Sequence, residues 1–148
     1  MPKLTLKFKT TVTAHQFIAA LTNFGPGREK IWPNSESNYL IMHSKHQNFA
    51  DVTEGSHAFG GVWERLHYDW SDPLNVILKT VDSNIWNSKS SWVYKLTPSL
   101  EGNSTIIEYT VERFPRNITG FVVLAYVSLY GKRTLRKDFN KMLRTIEA

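Results

Sequence analysis

The 148-residue sequence contains no cysteine. That removes disulfide scaffolds, thiolate metal sites and cysteine nucleophiles together, and it suits a reducing compartment. Nowhere does an apolar run approach the roughly 20 residues that a bilayer crossing needs. The opening stretch, MPKLTLKFKT, alternates polar and apolar residues and lacks the continuous apolar core of a signal peptide, so a mature, cytoplasmic protein is expected. There is no G-x-S-x-G, no P-loop, no H-E-x-x-H and no G-x-G-x-x-G opening a helix after a strand, so nothing calls for a nucleotide, a metal or any other cofactor.

Present in quantity are aromatic residues, 13% of the chain with five Trp, enough for a thick core or an aromatic-lined cavity. Hydrophobic residues at 41% against 21% charged exclude a disordered composition, and the length fits one domain, 1–148. The net charge of +5 is concentrated near the end. Lys132, Arg133, Arg136, Lys137, Lys141 and Arg144 stand there against Asp138 and Glu147. Such a segment can face nucleic acid or anionic lipid, or simply form the solvated side of a helix.

Residues 3–9 alternate as a half-buried strand. Thr13 followed by Gln16 has the spacing of a capping box, so a helix is expected from Ala14 until Gly25-Pro26-Gly27 stops it, with a short helical turn at Arg28–Ile31. Six strands are then predicted at 38–45, 48–54, 62–70, 74–82, 90–97 and 104–113, separated by turn residues. From 117 to 147 the period becomes helical, with a stripe of Phe121, Leu124, Ser128, Leu135, Phe139, Met142 and Ile146. The first part, FVVLAYVSLY (121–130), is apolar on nearly all sides, and Gly131 marks a candidate bend before the basic part. That run needs cover from the sheet, a second copy of the chain or peripheral contact with a membrane.

The segments FGPGREKIWPN, GGVWERLHYDWSDP, SSWVYKLTP and GNSTIIEYTV, with the long final helix, resemble the START-related superfamily, also called SRPBCC or polyketide cyclase/dehydrase-like. The resemblance covers essentially the whole chain and rests on element order. It implies an α+β helix-grip fold: a curved seven-stranded antiparallel sheet wrapped around a long C-terminal helix, with two short helices after the first strand. It also implies a cavity for lipids, sterols, polyketides, plant hormones or quinones. Some members are cyclases, dehydratases or hydrolases and many only bind, and no shared catalytic motif carries over. Whether this chain is an enzyme therefore stays open at this level.

The stretch GGVWERLHYDWSDP crowds Glu64, His67 and Asp69 together, but the two-residue period of a strand separates them. Val62, Glu64, Leu66, Tyr68 and Trp70 share one, mostly apolar face, and Trp63, Arg65, His67 and Asp69 the other. Glu64 is then the single carboxylate of that face, either a general acid/base for a cyclase or dehydratase or one half of an ion pair with Arg113. In the closing hairpin Trp92, Tyr94 and Leu96 share a face, as do Ile107, Tyr109, Val111 and Arg113. The candidate site is thus Glu64, Leu66, Tyr68, Trp70, Trp92, Tyr94, Tyr109 and Arg113, with Phe121, Leu124 and Ser128 from the helix, and its ligand a hydrophobic or amphipathic small molecule. His43 and His46 stand three apart, on opposite faces of a strand, and no metal is expected there. Nucleic acid is not expected either, because the aromatic residues face inward where bases cannot stack.

Overall fold

The computed structural model describes residues 3–147. Strand β1 (Lys3–Thr10) leads into α1 (Ala14–Leu21) and a 3-10 turn at Arg28–Lys30. Six strands follow: β2 (Ile41–Lys45), β3 (Phe49–Ser56), β4 (Val62–Asp69), β5 (Asn75–Ser83), β6 (Ser91–Pro98) and β7 (Thr105–Glu112). A second 3-10 turn, Ala58–Gly60, separates β3 from β4. The chain ends in one continuous helix built of α2 (Ile118–Tyr126), a π-helical turn (Val127–Gly131) and α3 (Lys132–Glu147).

Local chemistry explains the starts. The capping box forms in full: Gln16 N–H donates to the Thr13 hydroxyl at 3.1 Å, and Thr13 N–H to the Gln16 side chain at 2.9 Å. Asn117 caps α2 by accepting from the Gly120 N–H at 3.0 Å. Gly120 itself is required by a close approach. A Cβ there would lie 2.3 Å from the carbonyl oxygen of Ile85, so only glycine lets α2 rest on the β5–β6 connection.

The strands form one open antiparallel sheet in the order β1-β7-β6-β5-β4-β3-β2, the α+β helix-grip arrangement. β2 through β7 run as a meander and β1 closes against β7, Lys3 opposite Glu112 and Thr10 opposite Thr105. The expected strands all form, with ends shifted by up to three residues. β2 is the most trimmed, because residues 36–39 close a turn through the Tyr39 N–H to the Glu36 carbonyl. A bulge leaves Val81 of β5 unpaired, which turns Ser83 inward after Thr80.

Two apolar clusters hold the layers together. The larger joins the sheet to α1 and α3 through rings: Phe139 stacks on Phe8 at 4.4 Å and meets Tyr109 at 5.5 Å, and Phe17 meets Tyr94 at 5.2 Å. The smaller, Ile85, Trp86 and Val123, seats α2.

Candidate ligand-binding cavity

Members of both clusters border a cavity of about 330 Å³ between the sheet and the C-terminal helix. β4 gives it Val62, Glu64, Leu66 and Tyr68, β6 Trp92 and Tyr94, and β7 Tyr109 and Val111. The helix side consists of Val123, Tyr126, Val127, Gly131, Thr134, Leu135 and Asp138. Phe59 and Tyr126 also border it, both exposed and edge-to-face at 5.4 Å. Tyr126 also meets the exposed Tyr130 at 5.2 Å, and Phe121, Val122 and Leu129 are further exposed apolar residues of the same helix.

Glu64 and Arg113 do meet. Arg113 donates from Nη1 and Nη2 to the two carboxylate oxygens at 2.6 and 3.2 Å, and the Thr80 hydroxyl donates to the same carboxylate. The guanidinium lies over the rings of Trp92 and Trp86, at 4.3 and 5.2 Å. Both oxygens of Glu64 therefore serve as acceptors in a closed pair.

A second buried pair borders the cavity, and the sequence reading did not find it. Arg28 Nε donates to Glu54 at 2.9 Å, the Ser35 hydroxyl donates to the same oxygen at 2.7 Å, and the Tyr68 hydroxyl donates to the other. Arg28 also donates to Tyr68 at 3.1 Å and to the Asn23 carbonyl at 2.7 Å. Glu54 and Glu64 are register partners on β3 and β4. Two carboxylates thus stand side by side on the inner face, each neutralised by its own arginine. The period of two along β3, with Ala50, Val52 and Glu54 inward, carried the signal for Glu54. Nothing local marked Arg28, which reaches the site from the 3-10 turn after α1.

Burial, reinforced by the charge of Glu54, lifts the Tyr68 and Tyr94 hydroxyls above the ordinary tyrosine value, and burial beside Tyr94 does the same for Tyr109. The fold keeps these protons while the unfolded chain loses them near pH 10. The associated stability is therefore complete below about pH 10 and is lost as pH rises through the folded values. In an alkaline titration followed by tyrosinate absorbance, these three residues are expected to ionise only as the protein unfolds. A smooth, reversible titration of all tyrosines with the fold intact would contradict this.

Seven of the eleven expected site residues lie on the wall: Glu64, Leu66, Tyr68, Trp92, Tyr94, Tyr109 and Arg113. The other four are corrected. Trp70 follows the end of β4, bonds through its N–H to the Asn48 carbonyl and packs half-buried against the larger cluster. Phe121 is 63% exposed, Ser128 is exposed, and Leu124 packs beside Ile85 and Trp86. The α2 half of the helix is rotated relative to the expected stripe, whose later members Leu135, Phe139 and Met142 do face inward, and the inner seam is Val123, Val127, Gly131 and Leu135. Four residues overshoot one α-helical turn and fall short of a π turn, so the π segment keeps this four-residue seam in line. The candidate bend at Gly131 is the end of that π turn.

Among the described residues no group of three His, Cys, Asp or Glu is placed to hold a metal ion. His43 instead bonds to the Thr53 hydroxyl at 2.7 Å. No described helix is long and apolar enough to cross a membrane.

No protein-family model matches the sequence, and no curated protein matches it. Solved structures do match the fold. The Zhui aromatase/cyclase from Streptomyces sp. R1128 superposes with a TM-score of 0.76 at 15% identity, over 98% of this chain and 93% of that one. A START superfamily protein from Mycobacterium smegmatis gives 0.72 at 6% identity, over 97% and 98%. Norcoclaurine synthase from Thalictrum flavum, in complex with dopamine and hydroxybenzaldehyde, gives 0.58 at 10% identity, over 97% and 86%. The chain has the START-related, polyketide cyclase-like fold.

Proposed function

We propose that the protein binds one compact, largely apolar small molecule in the cavity between the sheet and the C-terminal helix. The observation that carries this reading is the cavity itself, walled by aromatic and aliphatic side chains with a few fixed polar groups. At about 330 Å³ it lies near the lower end of the roughly 300–1,000 Å³ of small-molecule sites. That volume favours a ring system over a long acyl chain. The solved neighbours that act on or hold ring compounds support the same class. Affinity would come from buried apolar surface, at roughly 25 cal/mol per Å². The cysteine-free sequence suits a reducing, cytoplasmic setting.

A cyclase or dehydratase would require Glu64 to exchange protons with its substrate. The carboxylate is instead committed to Arg113 and Thr80, and this geometry favours binding over catalysis.

The test is uptake of the uncharged fluorescent probe N-phenyl-1-naphthylamine. The native protein is expected to bind it at one site with a blue-shifted emission. Val127→Trp, which places an indole on the helix wall, is expected to weaken uptake by about tenfold or more. Absence of uptake by the native protein, or equal uptake by the variant, would sink the proposal.

A further inference from the structure

The polar groups of the cavity fall into two kinds. Arg28 and Arg113 are each matched by a carboxylate, so neither is free for an acidic ligand. The remaining charged group on the described lining is Asp138, exposed on α3 at the cavity edge. A carboxylate or sulfonate entering here would meet no uncommitted cation among the described residues of the wall and would pass an acid on the way in. It would also leave water for a mostly apolar space.

The second kind is unpaired. Tyr94 and Tyr109 face each other across the β6–β7 register with ring centroids 5.3 Å apart, and both side chains are buried. Among the described residues neither hydroxyl makes a hydrogen bond to the protein. Beside them Trp92, edge-on to Tyr109 at 5.7 Å, holds its indole N–H buried with no acceptor. Buried polar groups are normally satisfied, and the orphaned Trp92 N–H beside two cavity-lining hydroxyls that bond to no described protein group points to an absent partner. All three groups can donate. A carbonyl oxygen, with two lone pairs, suits two neighbouring hydroxyls.

We infer that the ligand is an uncharged, flat, oxygen-bearing molecule, a ketone, quinone or aryl ether by class, and that the Tyr94 and Tyr109 hydroxyls donate to its oxygen. This assignment rests on the binding reading above and narrows it. In it Arg113 stays with Glu64 and anchors no acidic group.

Three probes with the same naphthalene ring separate the terms: 2-acetylnaphthalene, naphthalene and 2-naphthoate, each titrated into the purified protein by equilibrium dialysis. The ketone is expected to bind about tenfold tighter than the hydrocarbon and at least about tenfold tighter than the carboxylate. Tyr94→Phe/Tyr109→Phe is expected to erase the advantage of the ketone while leaving naphthalene within about twofold of native. Circular dichroism checks that this variant is folded, and the three-probe comparison on the native protein stands without it. Naphthoate binding as well as the ketone would overturn the inference and leave the binding reading standing. So would a ketone advantage that survives in the folded double variant. Failure of all three probes to bind the native protein would overturn both.

Discussion

Arg113→Met is expected to lower the free energy of unfolding by about 3–5 kcal/mol in a urea titration at neutral pH. Arg113 is 6% exposed and Glu64 8%, so the substitution strands a carboxylate largely withdrawn from water. The loss is aggravated by position. Glu54 stands opposite Glu64 in the β3–β4 register, and like charges directly opposite on a sheet repel. With Arg113 gone, one guanidinium, Arg28, would face two neighbouring carboxylates. The lost cation also leaves the faces of Trp86 and Trp92. Most of this is the penalty of an unpaired charge and not the worth of the pair. The triple variant Arg113→Met/Glu64→Met/Thr80→Val, which removes every member, is therefore expected to recover stability to within about 2 kcal/mol of native. A loss under about 1 kcal/mol in the single variant would mean that solvent reaches Glu64 and that the pair does not shape the wall.

Phe139→Ala is expected to lower stability by about 3–5 kcal/mol, which at this chain length is a fall in Tm of roughly 10 °C. Phe139 is the aromatic side chain through which α3 joins the ring cluster. Its ring contacts Phe8 of β1, Phe17 of α1, Tyr94 of β6 and Tyr109 of β7, with centroids 4.4 to 6.4 Å apart. Truncation opens a void bordered by four rings that the rigid sheet cannot close. Leu129→Ala is the matched control. Leu129 is 76% exposed, so its loss is expected to change stability by no more than about 0.5 kcal/mol. Equal effects of the two substitutions in a thermal melt would refute the assignment of the core to α3.

What could be read from the sequence follows the range of the interactions involved. Alternation along β4 placed Glu64, Leu66 and Tyr68 inward and His67 outward, because a strand alternates whatever it pairs with. The Glu64–Arg113 pair was legible for the same reason, as two charged residues on the inner faces of predicted strands. Arg28 was not. Its position depends on α1 and the 3-10 turn folding back so that one side chain reaches Asn23, Ser35, Glu54 and Tyr68 together. The error at Phe121, Leu124 and Ser128 has a different source. A uniform 3.6-residue period points to the wrong face there, because the π turn at Val127–Gly131 changes the phase of everything before it. Gly131 hinted at an irregularity without saying what kind.

The pairing of β1 with β7 sets the order in which the molecule can be completed. Residues 3–10 leave the ribosome well before their partners, residues 105–112. The meander from β2 to β7 can zip strand by strand as it emerges, while β1 waits for β7, the last strand of the sheet to be made. Thr10 at the end of β1 then bonds to Glu147 at 2.8 Å, so the last helical turn secures the first strand. Long-range closure of this kind is slow relative to local pairing. Until it happens, the aromatic floor on which Phe8 and Phe139 meet is incomplete, and the nascent protein has a sheet but no enclosed interior.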